Sequence, residues 1–301
     1  MAGKASTKIR WGAAAALLLA GWAPGTVPAA QAPGPEVPAG RPEAAPGKLW
    51  PAVERLLELS GLRDQLRAAP ELVARDAEAQ AGPLPPERRR ALAEALRQAY
   101  DPRRLEEDVR AALARSLAGE EARLERALAL MASPVARRMA ELEEAAARPE
   151  AQAEMGRFLA GLAAAPPPRE RRELVRRVMA AQQAVEALLD LQEATFRGMV
   201  AAFNPALPPE RRLEGAELAE ALREMRRRSR PQVERFLEGS LLYTYREASD
   251  AELERYARLL ERPEARWATR ILLAALEEAM GEAARRAGQA MRRLREADGP
   301  F

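Results

Sequence analysis

Apolar side chains recur every three or four positions along most of the chain, with charged residues between them. In the first such segment the apolar residues are Val53, Leu56, Leu59, Leu62 and Leu66. This spacing places them on one face of an α-helix. Period-two alternation, which is typical of strands, is not apparent. The pattern predicts an all-α fold.

Prolines and short polar residues predict where the helices begin. Pro85-Pro86 and Pro208-Pro209 stand at or just before helix starts, where proline is tolerated. Asp101 is the expected N-cap of a helix that opens at Pro102. Either Ser249 or Asp250 caps a later helix.

Two further dipeptides that end in proline interrupt the helical pattern. Ser133-Pro134 and Arg262-Pro263 each end one helix and start another. After Pro263 the apolar residues lie on more than one side of the predicted helix, so this helix is expected at the centre of its bundle. The arginines at 226–228 and Arg230 are expected to end a helix, where basic side chains interact favourably with the helix dipole.

The helical part of the sequence carries one pattern twice. LPPERR at 84–89 recurs at 207–212, and LAEALR at 92–97 recurs at 218–223. Pro102 corresponds to Pro231. Residues 122–126 and 134–137 correspond to 251–255 and 263–266. The order of these matches predicts two tandem related helical-bundle repeats, each of four or five helices.

The repeat limits divide the chain into predicted segments. Repeat 1 spans 52–148 and repeat 2 spans 169–285. The connector 149–168 ends in three prolines, which cannot lie inside a helix. Residues 286–301 form a basic C-terminal tail.

The N-terminus has the three-part pattern of a secretory signal. Lys4, Lys8 and Arg10 precede an apolar stretch at 11–22, and small residues near position 30 offer cleavage sites. Residues 1–30 are therefore predicted to be a cleaved signal peptide, and an uncleaved anchor is the alternative. Residues 31–51 are rich in Pro, Ala and Gly and are predicted to be a disordered linker.

Composition excludes several kinds of chemistry. The chain has 301 residues and contains neither His nor Cys. Serine–histidine–acid triads, thiolate nucleophiles and the usual zinc and iron–sulfur sites are therefore excluded. We expect no cofactor, no metal site and no enzymatic activity.

The net charge of +3 comes from the predicted signal. Without Lys4, Lys8 and Arg10 the chain has equal numbers of basic and acidic side chains. A nucleic-acid partner is not expected, because no bulk positive charge is left to attract phosphates.

Aromatic residues of repeat 2 are the candidate binding site. Tyr243, Tyr245, Tyr256 and Trp267 lie close together in sequence, and none has an aromatic counterpart in repeat 1. One interpretation is that they form the core of repeat 2. The other is a groove for an apolar ligand or a partner protein, which requires Trp267 to be partly accessible beside Tyr245 or Tyr256.

Two charged features offer alternatives. Carboxylates at 106–108, 120–121 and 141–144 are numerous enough for a hydrolase acting in a cleft between the repeats. Their spacing from arginines is more typical of solvated ion pairs. The tail arginines are Arg285, Arg286, Arg292, Arg293 and Arg295. They allow peripheral contact with an anionic membrane, although a solvated helix end explains them too.

The sequence resembles a family of secreted, mostly periplasmic bacterial helical proteins, the domain of unknown function 2059. The resemblance rests on the Leu-rich segment 53–66, on 245–253 and 263–267, and on 133–137 in the first repeat. Ala136 and Ala265 stand where the family favours Gly. The resemblance implies an all-α fold and export, and it implies no activity.

Together these features predict an exported helical protein of the bacterial envelope. Its expected role is non-catalytic binding, as an adaptor or a chaperone-like protein, with an unidentified protein or an apolar ligand as its partner. The carboxylate hydrolase and the peripheral membrane protein are the alternatives.

Overall fold

The structure is a computed structural model that describes residues 49–80, 85–204 and 209–298. The predicted signal peptide and nearly all of the predicted linker lie outside the described residues. The described part contains helices and no strand, so the protein is all-α. None of these helices is long and apolar enough to cross a membrane.

Within the described residues, seven helices precede the triple proline and five follow it. The first seven are α1 (Leu49–Leu59), α2 (Leu62–Gln80), α3 (Pro86–Ala99), α4 (Pro102–Leu117), α5 (Glu121–Met131), α6 (Pro134–Ala146) and α7 (Pro149–Gly161). The others are α8 (Arg169–Ala181), α9 (Ala184–Phe203), α10 (Gly215–Thr244), α11 (Asp250–Leu260) and α12 (Pro263–Asp298), with a 3₁₀ turn at Pro209–Arg211.

The predicted capping residues occupy helix starts. The side chain of Asp101 accepts hydrogen bonds from the backbone N–H groups of Arg103 and Arg104. Ser133 accepts one from Ala136. Ser249, rather than Asp250, is the N-cap of α11, and it forms a reciprocal capping box with Glu252.

The first predicted helix is in fact two helices. α1 ends at Leu59 and α2 begins at Leu62, because Ser60 and Gly61 form a turn in which Gly61 has a φ of +66°. Glycine adopts this left-handed conformation at no steric cost. The leucine spacing continues across the turn, which hides the break in the sequence. The described part of residues 52–148 therefore contains six helices rather than four or five.

The arginines at 226–228 and Arg230 do not end a helix, which corrects the expectation drawn from their positive charge. α10 continues through Pro231 to Thr244. A proline inside a helix removes one backbone hydrogen bond. Arg226 and Arg230 form ion pairs with α9 at this point, and these hold the two helices together.

The predicted boundaries at 51/52 and 285/286 fall inside α1 and α12. The connector 149–168 contains α7, which packs against α6 and α10. α12 continues past residue 285 to Asp298. Arg286 donates hydrogen bonds to the Ala99 carbonyl at 3.0 Å and to Asp108 at 2.9 Å. The start of the predicted tail is therefore part of the packed structure.

The long helix α12 contacts helices on both sides of the triple proline. It packs along α9 and also against α3, α4 and α5. Its inward face carries mainly small side chains, including Ala268, Ala275, Ala279 and Ala283, each at most 2% exposed. Small residues let the neighbouring helix backbones approach closely, so α12 can contact several helices at once.

The packing of α6 is reciprocal to that of α12. α6 lies against α10 and α11 of the C-terminal part, whereas α12 lies against α4 and α5 of the N-terminal part. α7 follows α6 onto α10, where an added Cβ at Gly239 would come within 2.5 Å of Leu159. Each part of the chain thus covers the core of the other.

A charged network ties α1, α2 and α4 together. Glu54 accepts hydrogen bonds from Arg63 and, at 2.7 Å, from Arg110. Glu106 accepts from the same two arginines, at 2.6 and 2.7 Å. Partial burial raises the pKa of Glu54, but Arg110 and then Arg63 outweigh this and hold its pKa below the ordinary value of 4.5.

We expect Glu54 to make stability depend on pH. A lowered carboxyl pKa stabilises the fold above about pH 4.5, and this contribution is lost as pH falls through the folded-state pKa. In urea unfolding, Glu54→Gln should be less stable than the wild type at pH 7, and the difference should be smaller at pH 3. A difference of the same size at both pH values would contradict this role.

Candidate functional site

A groove runs along the surface between α9 and α12. It consists of two adjoining cavities of about 140 and 490 Å³, which share Ala274 and Glu277. Its remaining lining residues are Gln183, Glu186, Ala187, Asp190, Leu191, Glu193, Ala194, Arg197, Arg270, Leu273, Leu276, Glu278, Gly281 and Arg285. We call this the α9–α12 groove.

The lining residues follow from helix periodicity. On α9 they recur at intervals of three and four from Gln183 to Arg197, so they form one stripe. A stripe of this length covers roughly 21 Å at 1.5 Å per residue. The floor carries small side chains, and Gly281 leaves open space, since an added Cβ there would meet no atom within 4 Å.

Three carboxylates on the α9 side of the groove are held by arginines. Arg226 contacts Asp190 at 2.5 Å and Glu193 at 3.6 Å. Arg230 contacts Glu186 at 2.7 Å. The hydrogen bond from Arg230, opposed by partial burial and aided by Arg226, lowers the pKa of Glu186. All three carboxylates are therefore already engaged by arginines.

Glu277 on α12 differs from these three carboxylates because no arginine pairs with it in the described part of the chain. Among the described residues it has no hydrogen bond and no ion pair. Desolvation raises its pKa, and the negative charges of Asp190 and Glu193 raise it further, against the opposing effect of Arg197 and Arg226. Its surroundings thus favour a proton or another positive group beside it.

The two ends of the groove carry arginines. Arg270 is exposed at one end and, within the described chain, forms no ion pair. Arg197 and Arg285 lie at the other end, where they pair with Glu193 and Glu282. Basic groups at the ends and an acidic group between them give the groove an alternating charge pattern.

The four predicted aromatic residues are buried. Tyr243 and Tyr245 are 0% exposed, Tyr256 is 1% exposed and Trp267 is 7% exposed. None of them lines the α9–α12 groove. The accessible Trp267 that a groove at these residues requires is therefore absent, and the four residues pack in the core.

The structure brings only two of these aromatics together. The rings of Tyr245 and Tyr256 meet edge to face, with centroids 5.9 Å apart. Tyr243 instead packs on Phe158 of α7 and donates a hydrogen bond to Glu154 at 2.9 Å. The ring of Trp267 lies beneath the Arg123 guanidinium of α5, at 4.8 Å.

A buried carboxylate joins the tyrosine pair. Glu143 of α6 is 5% exposed and accepts hydrogen bonds from Tyr245 at 2.6 Å and from Tyr256 at 3.3 Å. Gln182 at the end of α8 donates to the Tyr256 hydroxyl at 3.5 Å. Burial, followed by the nearby Glu143, raises the pKa of both tyrosines, so both hydroxyls stay protonated donors.

Glu143 corrects one expectation from the sequence. The carboxylates at 141–144 resemble a solvated ion-pair face, and Glu141 does pair with Arg138 at 3.8 Å. Glu143 instead points into the contact between α6 and the C-terminal part of the chain. Its partners lie more than a hundred positions away in sequence, so no local pattern indicates its burial.

Comparisons with known proteins give no relative. No family model, curated protein or solved structure matches the chain. Among the described residues, no group of three or more acidic side chains is placed to hold a metal ion.

Proposed function

We propose that this protein is an exported, non-catalytic binding protein of the bacterial envelope, which holds a helical segment of a partner protein in the α9–α12 groove. The observation that carries the proposal is the shape of the groove, which is open at Gly281, where an added Cβ would meet no atom within 4 Å. An amphipathic helix binds in a groove through its apolar face, and Leu191, Leu273 and Leu276 offer apolar contacts within the charged lining of this groove.

The charges in the groove support binding over hydrolysis. A carboxylate hydrolase needs a pair of carboxyl groups that face the substrate. Here Glu186, Asp190 and Glu193 face arginines instead. Glu277 alone is left for a ligand, and its environment favours a cationic side chain of the partner.

The remaining support comes from the sequence. The N-terminal pattern of a secretory signal and the resemblance to secreted helical proteins favour the envelope. The peripheral membrane alternative has less support, since Arg286 is engaged with Ala99 and Asp108.

We expect Gly281→Leu to abolish partner binding. A leucine there enters open space, so it fills the groove without displacing the protein's own atoms. Gly156→Leu on α7 is the matched control, because an added Cβ at Gly156 also meets no atom within 4 Å. Both changes replace a helical glycine and should not destabilise the fold.

The measurement is a pull-down from envelope extract with the wild type and both variants as bait. Gly281→Leu should recover a given partner at least about tenfold less than the wild type, because a filled groove rejects a helix that fits the open one. Gly156→Leu should match the wild type. Equal recovery by all three baits would refute the groove as the binding site.

A further inference from the structure

The two parts of the chain share one order of helices. We call α1–α7 the N-terminal half and α8–α12 the C-terminal half. α1 and α2 correspond to α8 and α9, and the turns between them contain Gly61 and Gln183, with φ values of +66° and +54°. A glutamine in the left-handed backbone conformation is uncommon, so finding the same turn in both halves supports their structural similarity.

Later elements of the two halves correspond as well. α5 and α11 each have eleven residues, and α6 and α12 each open at a proline, Pro134 and Pro263. The continuous helix α10 takes the place of α3 and α4. It runs through Pro231, whereas the corresponding Pro102 starts α4.

Contacts within each half follow the same scheme. α1 packs on α4 and α5, and α8 packs on α10 and α11. α2 packs on α3, and α9 packs on α10. The correspondence therefore extends from the order of the helices to their packing.

The last helix of each half packs on the other half, and α12 also packs along α9 of its own half. α6 lies on α10 and α11, and α12 lies on the corresponding α4 and α5. Two contacts between individual residues show the same correspondence between the halves. Arg138 of α6 lies 4.0 Å from Glu252 of α11, and Trp267 of α12 lies 4.8 Å from Arg123 of α5. Each member of one pair is 129 positions from its counterpart in the other.

We propose that the chain is a fused dimer of two related units that exchange their last helices, and that each half recognises the other without the peptide that joins them. The binding partner of each half is thus the other half. Glu143 provides a specific contact in this exchange, because its two tyrosine partners both belong to the C-terminal half.

The test cuts the chain where the halves are joined. Residues 162–168 are not helical, and Ala164 and Ala165 are exposed, so a protease site inserted between these two alanines is accessible. After cleavage we expect both fragments to elute together at the volume of the uncut protein, with its helical circular dichroism. They should also reassociate after unfolding in urea and dilution.

Two other outcomes would overturn the proposal. Fragments that separate and each keep their helical signal are independent domains. Fragments that lose helicity on cleavage depend on the joining peptide.

A matched pair of variants tests the contact surface around Glu143 between the two halves. Glu143→Ala in the cleaved protein should weaken reassociation by about tenfold or more, a change of about 1.4 kcal/mol or more in binding free energy. Glu141→Ala, on the exposed side of the same helix, should leave reassociation unchanged. Equal effects of the two variants would show that the halves do not recognise each other through this surface.

Discussion

Tyr256→Ala is expected to lower the free energy of unfolding by about 3–5 kcal/mol, the usual cost of removing a large buried aromatic side chain. Tyr256 is 1% exposed, packs edge to face on Tyr245 and donates a hydrogen bond to Glu143. The variant leaves a cavity where α6 meets α11. Urea unfolding followed by circular dichroism measures the loss.

Tyr256→Phe distinguishes the contribution of the hydroxyl group to stability from that of the ring. It keeps the packing and removes one donor to Glu143, so we expect a smaller loss of about 1–3 kcal/mol. A loss below about 0.5 kcal/mol for both variants, the range of ordinary surface changes, would be incompatible with a core role for Tyr256.

Trp267→Ala is expected to lower the free energy of unfolding by about 3–5 kcal/mol, because it also removes a large buried aromatic side chain. Trp267 is 7% exposed and fills the contact between α12 and α5. The corresponding position in the N-terminal half is Arg138, whose side chain is 43% exposed. Arg138→Ala should cost no more than about 1 kcal/mol, since exposed ion pairs contribute little.

Thermal unfolding of both variants checks this difference. Arg123→Ala adds a control for the guanidinium above the ring, with an expected loss of about 0.5–1 kcal/mol. If Trp267→Ala and Arg138→Ala lowered stability equally, the two positions would have equivalent roles, contrary to their burial.

Local rules accounted for much of the fold. Asp101, Ser133 and Ser249 act as helix caps because the capping hydrogen bond involves only the next two or three residues. Helix starts at Pro86 and Pro134 follow from the geometry of proline. Such features depend on a few neighbouring residues, so the sequence alone contains them.

Non-local packing accounts for what the sequence did not show. The arginines at 226–228 and Arg230 look like a helix end, yet α10 continues through Pro231, and Arg226 and Arg230 pair there with carboxylates of α9. The aromatic residues that looked like a binding surface are buried, because helices of both halves cover them. The α9–α12 groove depends on where two helices are placed about 90 residues apart, which no local pattern specifies.

The exchanged helices have a consequence for the order of folding. Glu143 is 102 positions from Tyr245, Arg115 is 163 from Glu278 and Arg286 is 178 from Asp108. Contacts this distant in sequence slow folding, because the entropy of closing a long loop is lost before the contacts stabilise the product. The N-terminal half is synthesised first, but its core is completed only after α12, which follows it in the sequence, has been synthesised.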